Sequence, residues 1–379
     1  MSLMRRIYFF ANFGDWNKLP FGGGEVGNRR TLDLFKKGGF EVVPIPKYLR
    51  VENHSFINLL KLIIRVVSNI LSYTIILAFG RRKDSIVHIA GFYGPMIYFE
   101  YIIISIAKLF RYKVVYEMRG GGAEYYFNQG SKSYRRVFAL ALCKSDAIFS
   151  QGRENIPLIH MINKDIKIIY YPNYVTKDFY PQSYPDKPKN KIGLIYFGRI
   201  SQSKHTDFVI DTFVQLHAQF NNTYLEIVGD CEDIGFMDKL KAKIKNCGYA
   251  DFVSMYPACD HIKMKNHLRD KMFYLFPTTE TREGHSNALT EAMSWGLIPI
   301  ATQQGFNRSV IGDDKLIVQS LDVDSFVSCI ASAIKSGAAD SLSQEMYNRV
   351  LNNYTEDIVY KRIIGEYNNL FRMFFPKSL

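Results

Sequence analysis

Two carboxylates, Glu283 and Glu291, stand eight positions apart in the run EGHSNALTE. We expect a helix to begin near Ser286, because Ser and Asn are residue types that cap helix N-termini. Glu283 then lies in the loop before the helix, and the free N–H groups of residues 286–288 can hold phosphate oxygens. Glu291, deeper in the helix, can accept two hydrogen bonds from a ribose diol. The predicted ligand-binding residues here are Gly284, His285, Ser286, Asn287, Ala288 and Glu291.

Two cations lie at and after the end of the strand-like run KIGLIYFGR, Arg199 as its last residue and Lys204 five positions later. An Arg placed directly after a strand and a glycine lies where ligands bind in α/β sheets. By itself either residue could equally be a surface charge. Their combination with the Glu283 loop favours a site for a phosphorylated ligand.

These stretches together resemble the family 4 glycosyltransferases, the retaining GT-B enzymes. The resemblance is carried by the E-x7-E run with AMSWGLIPIAT after it, by IYFGRISQSKHTDFVIDTF at 195–213 and by LEIVGD at 225–230. It implies that Arg199 and Lys204 grip the diphosphate of a nucleotide-sugar donor, UDP- or GDP-linked, and that Glu283 positions the sugar. The expected catalytic residues are therefore Glu283, Arg199 and Lys204, with no cofactor beyond the donor itself.

Metal independence follows as a second expectation. The cations and the helix N-terminus can neutralise the departing diphosphate without a metal. The one D-x-D match, at Asp322 and Asp324, falls in a late helical connection. We therefore predict no metal site.

The first half departs from the family pattern at the acceptor side. Arg119 stands in EMRGGG where the family commonly has a His, and His88 fits a second family position while Ala90 replaces another frequent His. Arg119 and His88 are the predicted acceptor- or sugar-side residues. Either can also be an ordinary polar residue of the fold.

The run FGGGEVG satisfies G-x-G-x-x-G at Gly22, Gly24 and Gly27, the fingerprint of dinucleotide-binding folds. However, DWNKLP lies between the first strand and Gly22, which is too long for the tight turn that this fingerprint requires. We predict instead that Gly22, Gly23 and Gly24 form a flexible lip toward the donor phosphates, with a helix beginning near Glu25. An NAD- or FAD-dependent oxidoreductase is thereby disfavoured.

Strand-like and helical runs alternate along the whole chain, which is typical of parallel sheets covered by helices. We predict an α/β fold of GT-B type, with two facing Rossmann-like domains and a cleft between them. The predicted divisions are an acceptor-side domain at 1–175, a linker at 176–191 and a donor-nucleotide domain at 192–355. The C-terminal helix, 356–379, either completes the second domain or crosses back to the first.

Residues 56–79 are nearly long enough to span a bilayer, but polar residues recur along them at helical spacing. Asn58, Lys61, Arg65, Ser68 and Ser72 make one polar stripe. The segment can be a helix lying in a membrane interface or a core helix of the domain. The basic run at residues 81–83 that follows makes an anionic membrane surface a candidate partner for residues 56–83.

The net charge of +12 is concentrated in the first half, where residues 1–185 carry 26 Lys and Arg against 13 Asp and Glu. Such asymmetry suits an anionic surface, but no recognition motif supports nucleic acid as the partner. Five cysteines without a C-x-x-C pair indicate a reduced environment. With no signal peptide recognised at the start, we expect a cytoplasmic protein, peripheral on the inner face of the cell membrane.

The expected function is a retaining, metal-independent transfer of a sugar to a saccharide or lipid-linked glycan, in cell-envelope polysaccharide, capsule or lipopolysaccharide biosynthesis. Two alternatives remain open. A sugar-nucleotide epimerase of GT-B fold would convert the donor without an acceptor. A non-catalytic nucleotide-sugar-binding protein would bind the donor without turnover.

Overall fold

A computed structural model describes residues 4–18, 22–47 and 56–376 of the chain. The chain divides into two compact units, one formed by Met1–Tyr171 with Tyr360–Leu379 and the other by Pro172–Val359. Each unit contains a six-stranded sheet in which all strand pairs are parallel. The predicted α/β class with two Rossmann-like units is confirmed.

The first unit has the strand order β2-β1-β3-β4-β5-β6. Its strands consist largely of Ile, Val, Phe and Tyr, as expected for a sheet that helices cover on both faces. The strands are β1 (Arg6–Ala11), β2 (Glu41–Pro46), β3 (Ser85–Gly91), β4 (Lys113–Met118), β5 (Ala147–Ser150) and β6 (Lys167–Tyr170). The helices are α1 (Gly22–Lys37), α2 (Phe56–Ala78), α3 (Ile97–Leu109), α4 (Ala123–Gln129), α5 (Lys132–Lys144) and α6 (Ile156–Ile162).

The second unit has the order β12-β11-β10-β7-β8-β9, so the direction in which strands are added reverses between β7 and β10. Its strands are β7 (Ile192–Phe197), β8 (Thr223–Val228), β9 (Val253–Tyr256), β10 (Lys271–Phe276), β11 (Ile298–Thr302) and β12 (Ile317–Val318). Its helices are α7 (Thr206–His217), α8 (Ile234–Asn246), α9 (His261–Leu268), α10 (Asn287–Ser294), α11 (Asn307–Ile311), α12 (Val323–Lys335) and α13 (Ala339–Asn353). The last helix, α14 (Glu356–Phe374), begins in this unit and continues into the first.

The segment predicted as a linker, 176–191, lies within the second unit. The indole N–H of Trp295 donates to the carbonyl of Phe179 at 3.2 Å, and the Tyr184 hydroxyl donates to Ser343 Oγ at 2.7 Å. These contacts hold the segment against α10 and α13. The division therefore falls at 171/172, four residues before the predicted end of the first domain.

The glycine run of the first unit does not form the predicted lip. Gly22, Gly23 and Gly24 are the first residues of α1, so the flexible loop predicted for them is wrong, while nothing tests their role at the donor. Glycine has a low helix propensity, but tertiary packing overrides it here. A Cβ at Gly27 would lie 3.0 Å from Nη1 of Arg119, so the glycine lets the guanidinium lie against the helix. Ten residues separate β1 from α1, in agreement with the exclusion of a dinucleotide turn.

Candidate functional site

The carboxyl ends of β7 and β10 position the predicted catalytic residues of the second unit. Lys204 ends a short helical turn after β7, and Glu283 lies in the loop between β10 and α10. β7 and β10 are hydrogen-bonded neighbours, so the two loops emerge side by side. Ligands in open α/β sheets bind at this edge, where the strand order reverses.

Lys204 and Glu283 form an ion pair in which Nζ donates to Oε2. Their side chains are only 13% and 12% exposed. The Thr278 hydroxyl lies 3.4 Å from the same carboxylate oxygen. Because water is largely excluded, this pair interacts more strongly than a surface pair would. The structure thus brings together two residues that lie 79 positions apart in the chain.

A third acid, Glu280, joins both predicted cations. It accepts hydrogen bonds from Arg199 Nη2 at 2.9 Å and Ser203 Oγ at 2.8 Å, and its other oxygen lies 3.3 Å from Lys204 Nζ. Burial alone would raise the pKa of Glu280, but Lys204, Ser203 and Arg199 together hold that pKa below its ordinary value. The carboxylate therefore occupies the position between the two cations as an anion.

Glu280 is the site residue that the sequence analysis missed. It lies three residues before Glu283 in the same loop, TTETREG. Its role depends on the adjacency of β7 and β10, which no local spacing reveals. The one available signal was a second acid in a short loop that already held a predicted catalytic residue.

The N-terminus of α10 lies directly after the Glu283 loop, as predicted. Ser286 is the N-cap, and its Oγ accepts a hydrogen bond from the N–H of Leu289 at 3.3 Å. Asn287 and Ala288 form the first helical turn. A helix N-terminus with a preceding glycine, Gly284, is a favourable environment for an anion.

His285 was predicted to contact the ligand, but its ring is part of the packing of the second unit. The side chain is buried, with Nε2 at 2.7 Å from Thr290 Oγ1 and the ring edge-on to Tyr354. Burial lowers the pKa of His285 to about 3, so the ring is neutral at pH 7. Its side chain hydrogen-bonds the loop to Thr290 of α10, so the prediction that this side chain contacts the ligand is corrected.

A cavity of about 250 Å³ opens beside this group at the carboxyl ends of β7 and β8. Glu291 lies at its α10 side, with Oε1 3.7 Å from His261 Nε2, and Arg199 is also part of its lining. The cavity thus connects the predicted diol-binding acid with a predicted phosphate-binding cation. The other lining residues are Phe197, Gly198, Val228, Gly229, Asp230, Ala258, Cys259, His261 and Met264.

The Glu283 loop rests on a glycine that sequence reasoning did not select. Gly305 has a φ of +52°, and a Cβ there would lie 1.8 Å from the carbonyl oxygen of Glu283. No side chain can occupy that space without displacing the loop. The close packing of Gly305 against the backbone of Glu283 therefore fixes the position of this loop.

The two acceptor-side residues of the first unit lie in a buried network. Arg119 donates two hydrogen bonds to Glu117, from Nε at 2.6 Å and Nη2 at 3.0 Å. His88 Nε2 donates to the same carboxylate at 2.8 Å, and its Nδ1 accepts from the Tyr367 hydroxyl. Burial lowers the pKa of His88.

His88 is fully buried among aromatic rings, so its prediction as a ligand contact is corrected. Arg119 is also buried, with Nη1 directed toward the first turn of α1. The roles predicted for Arg119 and for Gly22, Gly23 and Gly24 stay predictions.

The D-x-D residues both make hydrogen bonds within the second unit. Asp322 caps α12 by accepting from the N–H of Ser325 at 2.9 Å, and Asp324 accepts from Gln215 at 2.5 Å. Within residues 4–18, 22–47 and 56–376, no group of three or more His, Cys, Asp or Glu side chains is arranged to hold a metal ion.

Known proteins share this fold and part of this sequence. Residues 180–353 match the family described as Glycosyl transferases group 1, which is nearly the whole second unit. A sucrose-phosphate synthase structure from Thermosynechococcus elongatus superposes with a TM-score of 0.71 at 16% identity, covering 97% of this chain and all of that one. The fold is GT-B. A HepE structure from Anabaena in complex with UDP has the same fold at 12% identity and a TM-score of 0.67, covering 97% of this chain and all of that one.

Two curated relatives share sequence with this GT-B chain. The GtfA subunit of a UDP-N-acetylglucosamine–peptide N-acetylglucosaminyltransferase from Streptococcus gordonii is 30% identical over 45% of this chain and 34% of that protein. One component of the phosphatidylinositol N-acetylglucosaminyltransferase from Arabidopsis thaliana is 24% identical over 62% of this chain and 51% of that protein. The matches thus cover between a third and about half the length of these relatives.

Proposed function

We propose that this GT-B chain is a glycosyltransferase that moves a sugar from a nucleoside-diphosphate sugar to a saccharide acceptor. The observation that carries the proposal is the group formed by Lys204, Glu283, Glu280 and Arg199 at the edge between β7 and β10. The cavity that leads from Arg199 to Glu291 has room for a nucleoside beside it. The group 1 family match over 180–353 supports the same function.

In the proposed reaction, the bond between the anomeric carbon and the diphosphate oxygen breaks, and negative charge grows on that oxygen. Arg199 and Lys204 stabilise this charge, with the N-terminus of α10 as a third positive partner. Glu291 accepts hydrogen bonds from the ribose diol.

Glu283 positions the sugar in this proposal. Glu283 contacts the sugar and Lys204 contacts the diphosphate. Because the two side chains form an ion pair, they fix the groups on either side of the breaking bond relative to each other. The acceptor hydroxyl attacks from the face that the diphosphate leaves, and its proton passes to the leaving oxygen. The anomeric configuration is then retained, as the resemblance to family 4 implies, and no metal takes part.

The donor is proposed to be UDP- or GDP-linked. UDP is the nucleotide in the complex of the HepE neighbour and in the name of the Streptococcus gordonii relative. The acceptor is proposed to be a saccharide or lipid-linked glycan of cell-envelope polysaccharide, capsule or lipopolysaccharide biosynthesis, with the protein at the cytoplasmic face of the membrane. Exclusion of water from the site would limit donor hydrolysis.

A thermal-shift panel of UDP-, GDP- and ADP-sugars tests the site. A ligand at 100 times its Kd stabilises the folded state by about 2.7 kcal/mol, and we expect this for one nucleotide only. Glu291→Ala should remove the shift, whereas Glu345→Ala, on the exposed side of α13, should retain it. If no nucleotide sugar stabilises the protein, the site assignment fails.

Incubation of the stabilising donor with and without saccharide acceptors tests the reaction. Transfer requires the acceptor, and NMR of the product reports whether the anomeric configuration is retained. An epimerase would convert the donor alone, and a binding protein would leave it unchanged. Activity that persists in excess EDTA would agree with metal independence, and activity lost there would contradict it.

A further inference from the structure

Helix α2 exposes an apolar face. The outward residues Ile63, Ile64, Val67, Leu71 and Ile75 are each between 49% and 59% exposed. From Ile64 onward they recur every three to four residues, and Ile63 lies beside them, so all five lie on one side of the helix. Large apolar side chains in such a continuous row mark an interaction surface.

The opposite side of α2 packs on the first unit. Asn69, Tyr73 and Leu77 are buried, and the Tyr73 ring contacts Phe10 edge-on with centroids 5.0 Å apart. The helix is long and apolar enough to cross a membrane, and only 11% of its most apolar stretch is buried within the protein. A core helix would be mostly buried, so the core interpretation of this segment is wrong.

Attachment to the unit also argues against a spanning orientation. One side of α2 is held by the domain, and the stripe containing Lys61 and Arg65 runs along its length. A helix in the middle of a bilayer would place these charges in hydrocarbon at high cost. A helix lying in the interface plane can keep the stripe at the headgroup level while its apolar face enters the acyl region.

Helix α3 extends the apolar face. It packs beside α2, and its outward residues Tyr98, Ile102 and Leu109 are exposed. Tyr is a side chain that membrane interfaces favour, because its ring is apolar and its hydroxyl can face water. The surface therefore spans two neighbouring helices.

Helix α5 adds positive charge at the border of this surface. It packs against α3, and Lys132, Arg135 and Arg136 are exposed on its outer side. Helices α2, α3 and α5 cover the same face of the sheet, since their buried residues share one apolar core. Basic residues beside an apolar face complement an anionic lipid surface.

We propose that α2, α3 and α5 form a docking surface for an anionic lipid bilayer, with the outward face of α2 inserted below the headgroups. Exposed apolar area supplies the insertion and the α5 cations supply the preference for negative charge. The proposal stands apart from the glycosyltransferase proposal, because vesicle binding needs neither donor nor acceptor. Either one can fail while the other holds.

Co-sedimentation of the full chain with vesicles tests the docking surface. We expect binding to vesicles of phosphatidylcholine with phosphatidylglycerol, and weaker binding to phosphatidylcholine alone or at 0.5 M salt. Ile64→Glu with Leu71→Glu should lower the partition coefficient at least about tenfold. The matched control, Ile234→Glu with Ile262→Glu, changes two still more exposed residues of the second unit and should bind as wild type.

A charge-reversed pair tests the α5 contribution. Arg135→Glu with Arg136→Glu should lower binding to the anionic vesicles about tenfold and leave binding to neutral ones unchanged. Lys241→Glu with Lys245→Glu, on the exposed side of α8, is the control with the same change of charge.

A tryptophan placed on the outward face of α2 reports insertion by its fluorescence. It tests the proposal even if a charged variant folds poorly. Val67→Trp should show a blue-shifted emission with vesicles and quenching by brominated acyl chains, whereas Ile234→Trp should show neither. Absence of vesicle binding, or unchanged binding of the Ile64/Leu71 variant, would overturn the proposal. So would a concentration-dependent dimer that this variant dissociates without any vesicle binding, since the surface would then join two copies.

Discussion

The two units use the same residue types in opposite ways. In the first unit, Arg119, Glu117 and His88 form a closed network, in which buried side chains hydrogen-bond to one another and to neighbouring groups of the same unit. In the second, Arg199 is 60% exposed and shares a carboxylate with Lys204 at the border of a cavity. A closed network holds a fold together, whereas an open one can exchange its carboxylate for another anion. Charged residues thus identify a ligand site only together with their exposure.

The largest effect that separates the two regions is on stability. Removing one partner of a buried ion pair leaves an uncompensated charge and costs about 3–5 kcal/mol. We therefore expect Arg119→Met to lower the free energy of unfolding by about that amount. Arg199→Met, which removes a largely exposed pair, should cost about 1 kcal/mol or less.

The two tryptophans allow each unit to be followed separately in urea unfolding. Trp16 lies in the first unit and Trp295 in the second. Trp295→Phe leaves a reporter of the first unit, and Trp16→Phe leaves a reporter of the second. Equal losses for the Arg119 and Arg199 variants would remove the distinction between closed and open networks.

The next effect is on catalysis in the second unit. Lys204→Met removes the cation that pairs with the Glu283 carboxylate and that we propose binds the donor phosphate. We expect the rate of sugar transfer to fall about 10²–10³-fold, the range for loss of one preorganised electrostatic group. Lys239→Met, on the exposed side of α8, should transfer at the wild-type rate. A Lys204 variant with wild-type kcat would contradict the assigned role.

The pH dependence of unfolding tests the buried network of the first unit. Burial would raise the pKa of Glu117, but Arg119 and His88 outweigh it and lower that pKa to about 2, from an ordinary value of 4.5. Its contribution to stability is therefore complete above pH 4.5 and is lost as the pH falls toward 2, because the unfolded state binds the extra proton in this window. Unfolding of the Trp295→Phe protein at pH 5, 4 and 3 measures the slope, which Glu117→Gln should reduce.

The smallest expected effect is on nucleotide affinity and concerns Glu280, whose carboxylate lies between Arg199 and Lys204. If a diphosphate must displace this carboxylate, Glu280→Gln should bind UDP, or the nucleotide that gives the thermal shift, a few-fold more tightly. The estimate follows from the modest energy of a partly exposed ion pair. Isothermal titration calorimetry measures it, with Glu345→Gln as the control. Weaker binding would mean that Glu280 organises the cations instead of competing with the ligand.

The sequence predicted those features that depend on local patterns. Strand–helix alternation predicted the fold class, and Ser286 predicted the start of α10 because capping is decided within one turn. The sequence predicted a helix with one polar stripe over residues 56–79, and the structure has this helix. It did not decide whether the helix lies in a membrane interface or in the core of the domain. Only the packing of Tyr73 and Leu77 shows which side faces the domain.

Features that depend on distant contacts were missed. Glu280 acquires its role from the pairing of β7 with β10, and His88 and His285 are buried by elements far along the chain. Gly22 to Gly24 are helical because α1 packs on residues such as Phe92 and Arg119, against their intrinsic preference. The neighbouring sequence of a single Glu, His or Gly does not show which distant residues it will contact in the fold.

The contact of Gly305 with the Glu283 carbonyl has a consequence for how this protein can be redesigned. Position 305 bears no functional group, yet a saturation library there should retain glycine alone, because a Cβ would also lie 2.9 Å from Cβ of Glu283. Substitution there would also change the geometry of the site, since any added side chain must displace the loop that carries Glu283. A screen that looks only at polar residues would overlook this position.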